Sequence, residues 1–344
     1  MKGLVVTSDH KVELCEIRKP YPGQFQAMVK ILACGICSTT DIELINGTQP
    51  FHKHYPCLLG HEAIGEVVSL GSGVKHFQLG DWVTRPAGIV PGSMKDGISS
   101  AWGGFAEYGL VTDLRAMAAA GDLSMANDYV ALRQNVLKCG PQIGLASSVL
   151  SIALSETYEW SKHLDIKGRL ICVNGTGIAG LSLVLWAKLA GAKKIILLGR
   201  RERRLKLGKE LGADETVNVN DLPAIETIKT LSEGGVDCFI EATGASSQME
   251  IALRTTRAGG TVAVYGVAPN GRYEIDWTWL PSNIKITQHE PNEHLVRNEI
   301  LKFIAERKIP TEKLLTHIWK LSDYHIALNV IKSEEVIKSM MVME

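Results

Sequence analysis

Residues 169–192 join an apolar run, a glycine-rich turn and a second apolar run, and this order limits the possible folds more than any other feature. The run RLICVN is typical of a buried strand, and Gly175, Gly177 and Gly180 follow it with the spacing G-x-G-x-x-G. The next residues, LSLVLWAKLAGA, are apolar at helical spacing. A strand, a glycine turn and a helix in this order predict the first β-α unit of a parallel sheet.

The same alternation continues downstream. KKIILLG, VDCFIEATG and TVAVYGV are strand-like, whereas RERRLKLGKELGA and SQMEIALRTTRAGG are helix-like, and a helical stretch near 151–163 precedes them all. Alternating strands and helices are typical of a parallel sheet with right-handed crossovers. We therefore expect an α/β domain with a doubly wound parallel sheet, a Rossmann domain, over residues 151–295.

The first half of the chain has a different pattern. Short apolar or alternating runs such as GLVVT, AMVKILACGI and DWVTRPAGIV are separated by glycine and proline, which predicts a β-rich domain with tight turns. The last residues return to shorter elements. We expect residues 1–150 and 296–344 to form this second domain, in agreement with the two domains that 344 residues suggest.

Composition excludes several classes of partner. Lysine plus arginine and aspartate plus glutamate both number 37, so charge gives no indication of nucleic acid or an anionic membrane as partner. No apolar run is long enough for a transmembrane helix, and the N-terminal residues lack a signal-peptide core, which predicts a cytoplasmic protein. The seven cysteines are interpreted as reduced thiols or metal ligands.

The glycine turn by itself is equally compatible with a plain turn, but its position between strand and helix predicts a dinucleotide site. Gly175 allows the tight turn, Gly177 lets the backbone approach a pyrophosphate, and Gly180 allows helix and strand to pack closely. The helix N-terminus offers amide groups to the phosphates. The predicted cofactor contacts are Gly175, Gly177, Ile178, Ala179, Gly180, Gly199, Arg200, Arg201, Thr243, Gly266 and Val267.

The end of the second strand indicates which dinucleotide is preferred. NAD sites usually place a carboxylate there for the ribose 2′-hydroxyl, but this strand ends in Gly199-Arg200-Arg201. A glycine makes room for a 2′-phosphate, and a guanidinium can bind it bidentately. We predict NADP(H) rather than NAD(H). Two observations favour the alternative, since Arg200 to Arg204 also suit a solvated helix start and Glu202 lies nearby.

Motifs along nearly the whole chain carry a family resemblance. They are CGIC…TD at 34–41, LLGHEAIGEVVSLGSGV at 58–74, LGDWV at 79–83, GGFAEYGLV at 103–111 and the glycine turn. With these motifs the chain resembles the zinc-dependent alcohol dehydrogenases of the medium-chain dehydrogenase/reductase superfamily. The resemblance implies a GroES-like β-rich catalytic domain beside the Rossmann domain, and a homodimer or homotetramer.

The resemblance also assigns roles to residues. It implies that Cys37 and His61 bind one catalytic zinc ion and that Glu62 lies beside the metal as an outer or transient ligand. It implies Thr40, or alternatively Thr39, as the proton relay. The expected reaction is hydride transfer between the nicotinamide, in the cleft between the domains, and a secondary alcohol, polyol or sugar derivative, or the matching ketone. Zinc polarises the substrate oxygen in this reaction.

Three departures from the family pattern keep alternatives open. Residues 84–110 contain no cysteine, so the structural zinc of many members is not expected, and the Cys37–Asp41 loop is one residue longer than usual. The third zinc ligand of the family lies about 24 residues before the glycine turn, where this chain has Ser151. Glu62 is the candidate replacement. A zinc-free NADPH-dependent quinone or enone reductase and an inactive dinucleotide-binding sensor remain alternatives.

Four aromatic residues are candidates for the substrate pocket. They are Trp102, Phe105, Trp277 and Trp279, and each is equally a candidate for the core.

Overall fold

The computed structural model describes residues 1–268, 271–331, 333 and 335–344. The strands are β1 (Lys2–Val6), β2 (Val12–Glu16), β3 (Gln26–Ile36), β4 (Cys57–Leu58), β5 (Glu62–Leu70), β6 (Trp82–Thr84), β7 (Met94–Lys95), β8 (Ile98–Ser100), β9 (Tyr108–Thr112), β10 (Leu170–Asn174), β11 (Lys194–Gly199), β12 (Glu215–Asn218), β13 (Val236–Glu241), β14 (Thr256–Val264), β15 (Lys285–Thr287), β16 (Leu315–Lys320) and β17 (Lys338–Val342).

The helices are α1 (Thr40–Ile45), α2 (Leu114–Ala119), α3 (Tyr129–Leu132), α4 (Gly140–Ile143), α5 (Leu145–Ser161), α6 (Ile178–Leu189), α7 (Glu202–Leu211), α8 (Ala224–Leu231), α9 (Met249–Thr255), α10 (Arg297–Ala305), α11 (Thr311–Leu314) and α12 (Tyr324–Val330). Within the described ranges, the helices are too short or too polar to cross a bilayer.

The chain divides into two units. Met1–Ile152 and His294–Glu344 form the β-rich unit, and Ala153–Glu293 form the parallel-sheet unit. These limits differ by two residues from the predicted ones at each boundary.

The β-rich unit contains two sheets. One has the strand order β2-β1-β4-β8-β7, and the other has the order β16-β17-β3-β5-β6 with β9 also paired to β3. The eleven residues of β3 alternate between the unit's interior and its surface for most of their length, as a half-buried strand requires. Leu4, Ile31, Leu58 and Phe105 are among the fully buried side chains of the unit's main hydrophobic cluster.

The parallel-sheet unit has the strand order β12-β11-β10-β13-β14-β15, and every neighbouring pair is parallel. The chain leaves β10 toward β11 and β12 and then returns to the other side through β13. The carboxyl ends of β10 and β13 therefore form a topological switch point, where open α/β sheets bind their ligands. This architecture confirms the predicted fold class.

Two element limits differ from the sequence prediction. The helix expected near 151–163 begins earlier, since α5 starts at Leu145. The helix expected over 247–260 is wrong after Thr255, because Thr256 already belongs to β14. Thr256, with a ψ of 134°, is already extended, and the pairing of β13 with β14 shifts register between Thr256 and Thr261, where Gly259 has a φ of 73°.

Candidate metal and cofactor sites

The register of three strands brings the predicted metal ligands to one edge of a sheet. Gly35 of β3 pairs with Glu62, the first residue of β5, and Ile36 pairs with Ser339 near the start of β17. Cys37 directly follows β3, and His61 directly precedes β5. Residues that are far apart in the chain therefore meet at the same end of neighbouring strands.

Cys37, His61 and Glu62 form a compact cluster in the β-rich unit. One ligand atom of each residue lies within 4.8 Å of the others. His61 and Glu62 are buried, and Cys37 is half-buried. A thiolate, an imidazole and a carboxylate each bind zinc at roughly 2.0–2.3 Å, so donor atoms this close together can share one ion. The donor set thus fits a zinc ion that retains an open position.

Asp41 organises this cluster from the first turn of α1. Its Oδ2 accepts a hydrogen bond of 2.8 Å from the Cys37 amide, and its Oδ1 lies 3.5 Å from His61 Nδ1. The side chain of Asp41 is fully buried. A carboxylate on this side of the imidazole favours a proton on Nδ1 and so leaves Nε2 for a metal. The Arg85 guanidinium adds a hydrogen bond of 2.5 Å to the His61 carbonyl oxygen.

The charges of the cluster favour a deprotonated Cys37 beside a protonated His61. Burial alone would raise the pKa of the Cys37 thiol, but the hydrogen bond and charge of His61 outweigh burial and lower it. Burial also opposes a charged His61, but Asp41 and Cys37 raise the pKa of that imidazole to about 10. Both shifts favour a thiolate beside an imidazolium, and a bound cation would have to displace the imidazolium proton.

Glu62 has a partner that the sequence analysis missed. Lys338 Nζ lies 2.5 Å from Glu62 Oε1, and both side chains are only 3% exposed. The same Oε1 lies 3.6 Å from His61 Nε2, so it faces the cluster and the ammonium at once. Gly35 provides the space, because a Cβ there would lie 2.8 Å from Glu62 Oε2. No sequence signal marked Lys338, which is 276 positions from Glu62.

Ser151, at the family's third-ligand position, is turned away from a ligand role. Its hydroxyl donates a hydrogen bond of 2.7 Å to the Ser148 carbonyl oxygen, inside α5. The residue is fully buried, and its own carbonyl accepts a hydrogen bond from Arg297. Within the described residues, the metal-ligand cluster therefore consists of Cys37, His61 and Glu62.

The two relay candidates differ in burial. Thr40 is half-buried, and its amide lies 3.4 Å from Cys37 Sγ, whereas Thr39 is exposed.

Of the aromatic candidates, the Trp102 ring lies 5.2 Å from the His61 ring, Phe105 is a core residue and Trp277 is 81% exposed. Trp279 is half-buried beside the hydrophobic cluster of the parallel-sheet unit.

The glycine turn in the parallel-sheet unit has the backbone geometry that its sequence predicts. Gly175 has a φ of 123°, and a Cβ at Gly180 would lie 1.9 Å from the Gly175 carbonyl oxygen. Gly177 precedes α6, and a Cβ there would meet open space. Ile178 and Ala179 form the first turn of α6, so their amides lie at its N-terminus. The turn therefore leaves room for a ligand beside the helix start.

The end of β11 carries a glycine that packs closely against Thr176. A Cβ at Gly199 would lie 2.4 Å from Thr176 Cγ2, so an aspartate or glutamate there requires Thr176 to move. Arg200 is exposed and Arg201 directly precedes α7. The Asn220 amide, which the sequence analysis missed, donates a hydrogen bond of 3.2 Å to the Arg200 carbonyl oxygen.

The remaining predicted cofactor residues lie beyond the ends of β13 and β14. Thr243 and Val267 are exposed, and Gly266 is half-buried. A Cβ at Gly175 would lie 3.3 Å from Thr243 Cγ2, which places this turn next to the glycine turn. The predicted cofactor residues of this unit are therefore gathered at the carboxyl ends of neighbouring strands.

Both units of the chain are similar to known dehydrogenases. Residues 23–120 match the family described as "Alcohol dehydrogenase GroES-like domain", and residues 179–288 match "Zinc-binding dehydrogenase". The chain is 32% identical over 333 residues to the NADP-dependent isopropanol dehydrogenase of Thermoanaerobacter brockii, covering 93% of this chain and 92% of the relative. It is 28% identical over 344 residues to the sorbitol dehydrogenase of Halalkalibacterium halodurans, covering 98% of each.

Solved structures share the fold. A putative zinc-binding dehydrogenase of Sinorhizobium meliloti, solved with bound NADP, superimposes with a TM-score of 0.78 at 25% identity, covering 99% of this chain and 98% of that chain.

Proposed function

This chain belongs to the zinc-dependent alcohol dehydrogenase family of the medium-chain dehydrogenase/reductase superfamily, and from that premise we propose that it interconverts secondary alcohols or polyols and their ketones with NADP(H). That it is an NAD(P)-dependent alcohol dehydrogenase follows from its relatives. The main observation behind the proposed zinc chemistry is that Cys37, His61 and Glu62 converge at one sheet edge.

We propose that Cys37, His61 and Glu62 hold one zinc ion. Glu62 takes the place of the ligand that Ser151 cannot supply, since the serine hydroxyl is bonded within its own helix. When bound, the ion supplies Lewis-acid polarisation of the substrate oxygen, which is worth several kcal/mol of barrier. Asp41 holds the His61 ring in the orientation that presents Nε2.

Thr40 is proposed to receive the proton of the substrate hydroxyl and pass it toward solvent. Its half-buried position, with its amide 3.4 Å from Cys37 Sγ, supports this role over Thr39, which is exposed. A hydroxyl can accept one proton while donating its own, which is what a relay requires. The hydride chemistry belongs to the cofactor.

Three observations support NADP(H) as the preferred cofactor. Gly199 supplies no carboxylate for a ribose 2′-hydroxyl, and a Cβ there would lie 2.4 Å from Thr176 Cγ2. Arg200 is exposed beside this point and can pair with a 2′-phosphate. The Thermoanaerobacter relative is named as NADP-dependent, and the Sinorhizobium structure contains NADP.

The substrate class rests on the relatives and on one aromatic contact. One relative is named for isopropanol, a secondary alcohol, and another for sorbitol, a polyol. Trp102, packed 5.2 Å from the His61 ring, is the proposed apolar wall beside the metal cluster.

We also propose a homo-oligomer. Strand β15 lies at one edge of the parallel sheet, and its Ile286 is 43% exposed. The unpaired backbone groups of an edge strand offer a pairing surface to a second copy. Light scattering on the purified protein tests this, and a monomer at all concentrations overturns it.

Metal analysis combined with an activity screen tests the proposed chemistry. We expect about one zinc per chain and chelator-sensitive oxidation of secondary alcohols or polyols. Full activity of metal-free protein on quinones or enones supports the zinc-free reductase instead. Cofactor binding without turnover on any alcohol or ketone supports the sensor.

A cofactor titration tests the NADP preference separately. NADPH is expected to bind more tightly than NADH, and Arg200→Ala is expected to remove the difference. Arg203→Ala, an exposed arginine of α7, is the matched control and should keep it. Tighter binding of NADH to the unmodified protein contradicts the preference.

A further inference from the structure

Glu241, the last residue of β13, is a fully buried carboxylate surrounded by hydrogen-bond donors. Its Oε1 accepts the Thr243 amide at 2.7 Å and also the Thr243 hydroxyl. Its Oε2 accepts the Gly244 amide at 3.0 Å and lies 3.2 Å from the Tyr273 hydroxyl. An ionised carboxylate only accepts, so both of its oxygens match the groups that face them.

The same residue joins the turn after β13 to the turn after β14. The Glu241 carbonyl accepts the amides of Tyr265 at 2.8 Å and Gly266 at 3.0 Å. The Tyr273 hydroxyl also lies 2.8 Å from the Gly266 carbonyl oxygen, so its proton is shared between the two turns. The turns touch directly, because a Cβ at Gly266 would lie 2.2 Å from the Gly244 amide nitrogen.

This pair of turns lies beside the glycine turn. The Ala242 amide donates a hydrogen bond of 2.9 Å to the Asn174 carbonyl oxygen, directly before Gly175. A Cβ at Gly175 would lie 3.3 Å from both Ala242 and Thr243. Three turns at the carboxyl ends of β10, β13 and β14 thus form one surface at the topological switch point.

We infer that Glu241 is a positioning residue for the dinucleotide, holding the turns after β13 and β14 in their cofactor-binding arrangement. The inference rests on the proposed use of this surface by a nicotinamide cofactor. A preformed surface avoids the entropy cost of ordering two turns on binding. Without the carboxylate, the two amides and the hydroxyls lose a common acceptor, and the turns lose the side-chain link through Tyr273.

The donor pattern distinguishes glutamate from glutamine. A glutamine at this position would direct its NH2 group at one set of donors, either those of Thr243 or those of Gly244 and Tyr273. Burial and the nearby Glu241 charge raise the pKa of Tyr273, so the phenol stays protonated as a donor. In Glu241→Gln the side-chain NH2 group therefore faces other hydrogen-bond donors, while the side-chain volume changes little.

NADPH and NADH titrations of the full-length protein test the inference. Glu241→Gln is expected to weaken binding of the tighter cofactor by about 10- to 100-fold. Asp237→Asn is the matched control, since Asp237 lies in the same strand and its carboxylate accepts the Leu170 amide at 2.7 Å and the Arg257 guanidinium. Both variants are expected to lower the melting temperature, but Asp237→Asn should bind cofactor as the unmodified protein does.

Tyr273→Phe gives a second measurement if Glu241→Gln does not fold. It removes one hydroxyl and is expected to weaken cofactor binding by about threefold to tenfold. Unchanged affinity in either folded variant, or an equal loss in Asp237→Asn, overturns the inference while leaving the proposed function intact. An unmodified protein that binds neither NADPH nor NADH overturns both.

Discussion

One candidate site of this molecule is formed by side chains, and the other is formed mainly by backbone groups. The metal cluster in the β-rich unit consists of side chains, Cys37, His61 and Glu62, held by further side chains around them. The cofactor surface in the parallel-sheet unit consists mainly of backbone, with amides at the start of α6 and glycines that open space for a ligand. A side-chain site is changed by replacing a functional group, whereas a backbone site is changed by adding atoms.

The two sites should therefore respond differently to amino-acid substitution. Removing a ligand from the metal cluster takes away chemistry but leaves the strands paired. Adding one methyl group to the glycine turn leaves every functional group in place but disturbs the packing of helix on strand. Substitutions in each unit can therefore test the contrast directly.

The largest expected effect is on turnover. Cys37→Ala should lose the bound zinc and reduce kcat/KM for alcohol oxidation by about 1,000-fold, because the Lewis acid is lost. NADPH affinity should not change, since the backbone surface is intact. Metal analysis, steady-state kinetics and NADPH titration measure these quantities. Cys139→Ala, a half-exposed cysteine outside the cluster, should retain zinc, and equal losses in both variants contradict the assignment.

A pair of identical substitutions in the glycine turn comes next. Gly180→Ala forces a Cβ to 1.9 Å from the Gly175 carbonyl oxygen, so we expect a loss of about 3 kcal/mol in unfolding free energy and no measurable NADPH binding. Gly177→Ala meets open space and should change stability by less than about 0.5 kcal/mol, but weaken NADPH binding about tenfold. Denaturant unfolding and NADPH titration measure both. Tight NADPH binding by Gly177→Ala disagrees with the predicted phosphate approach.

Lys338→Met tests how the ammonium beside Glu62 affects protein stability and zinc binding. The zinc-free protein should lose about 3 kcal/mol of unfolding free energy, because Glu62 is left buried without its ammonium. Zinc should then stabilise the variant more than it stabilises the unmodified protein, since the ion no longer shares Glu62 with a cation. Thermal unfolding with chelator and with zinc measures this. Lys320→Met, an exposed lysine, should behave normally, and a smaller zinc effect in Lys338→Met contradicts the expectation.

The smallest effect concerns stability away from both sites. Asp113 is buried, which opposes ionisation, but the amides of Lys75, Ala116 and His76 lower its pKa below 3.8. A lowered folded-state pKa stabilises the protein above the ordinary value, and this stabilisation is lost as pH falls through the folded value. Asp113→Asn should cost about 1–2 kcal/mol at pH 7 and less below pH 3.8.

The exposed Asp122 provides the control for that measurement. Asp122→Asn should leave stability nearly unchanged at both pH values, because its side chain bonds only within a surface turn. Zinc content and NADPH affinity should be normal in both variants. A constant difference between Asp113→Asn and the unmodified protein across pH contradicts the assigned ionisation.

The contrast between a side-chain site and a backbone site also explains which features could be predicted from the sequence. The glycine turn is contiguous, and its requirements are local, so Gly175 and Gly180 have the predicted geometry. The candidate metal ligands were predicted from family motifs, and the register of β3 and β5 brings them together. Lys338 carried no signal, because only the pairing of β17 with β3 brings it near Glu62. The helix predicted through residue 260 was wrong after Thr255, because Thr256 is extended and pairs with Val236, a long-range pairing that the local sequence does not mark.

The Lys338–Glu62 pair has a consequence for the order of events during protein synthesis. Glu62 leaves the ribosome 276 residues before Lys338, so its carboxylate has no ammonium partner until β17 is made and pairs with β3. A metal ion captured during that interval meets no competing ammonium. Cotranslational loading should therefore be easier than reconstitution of the finished chain.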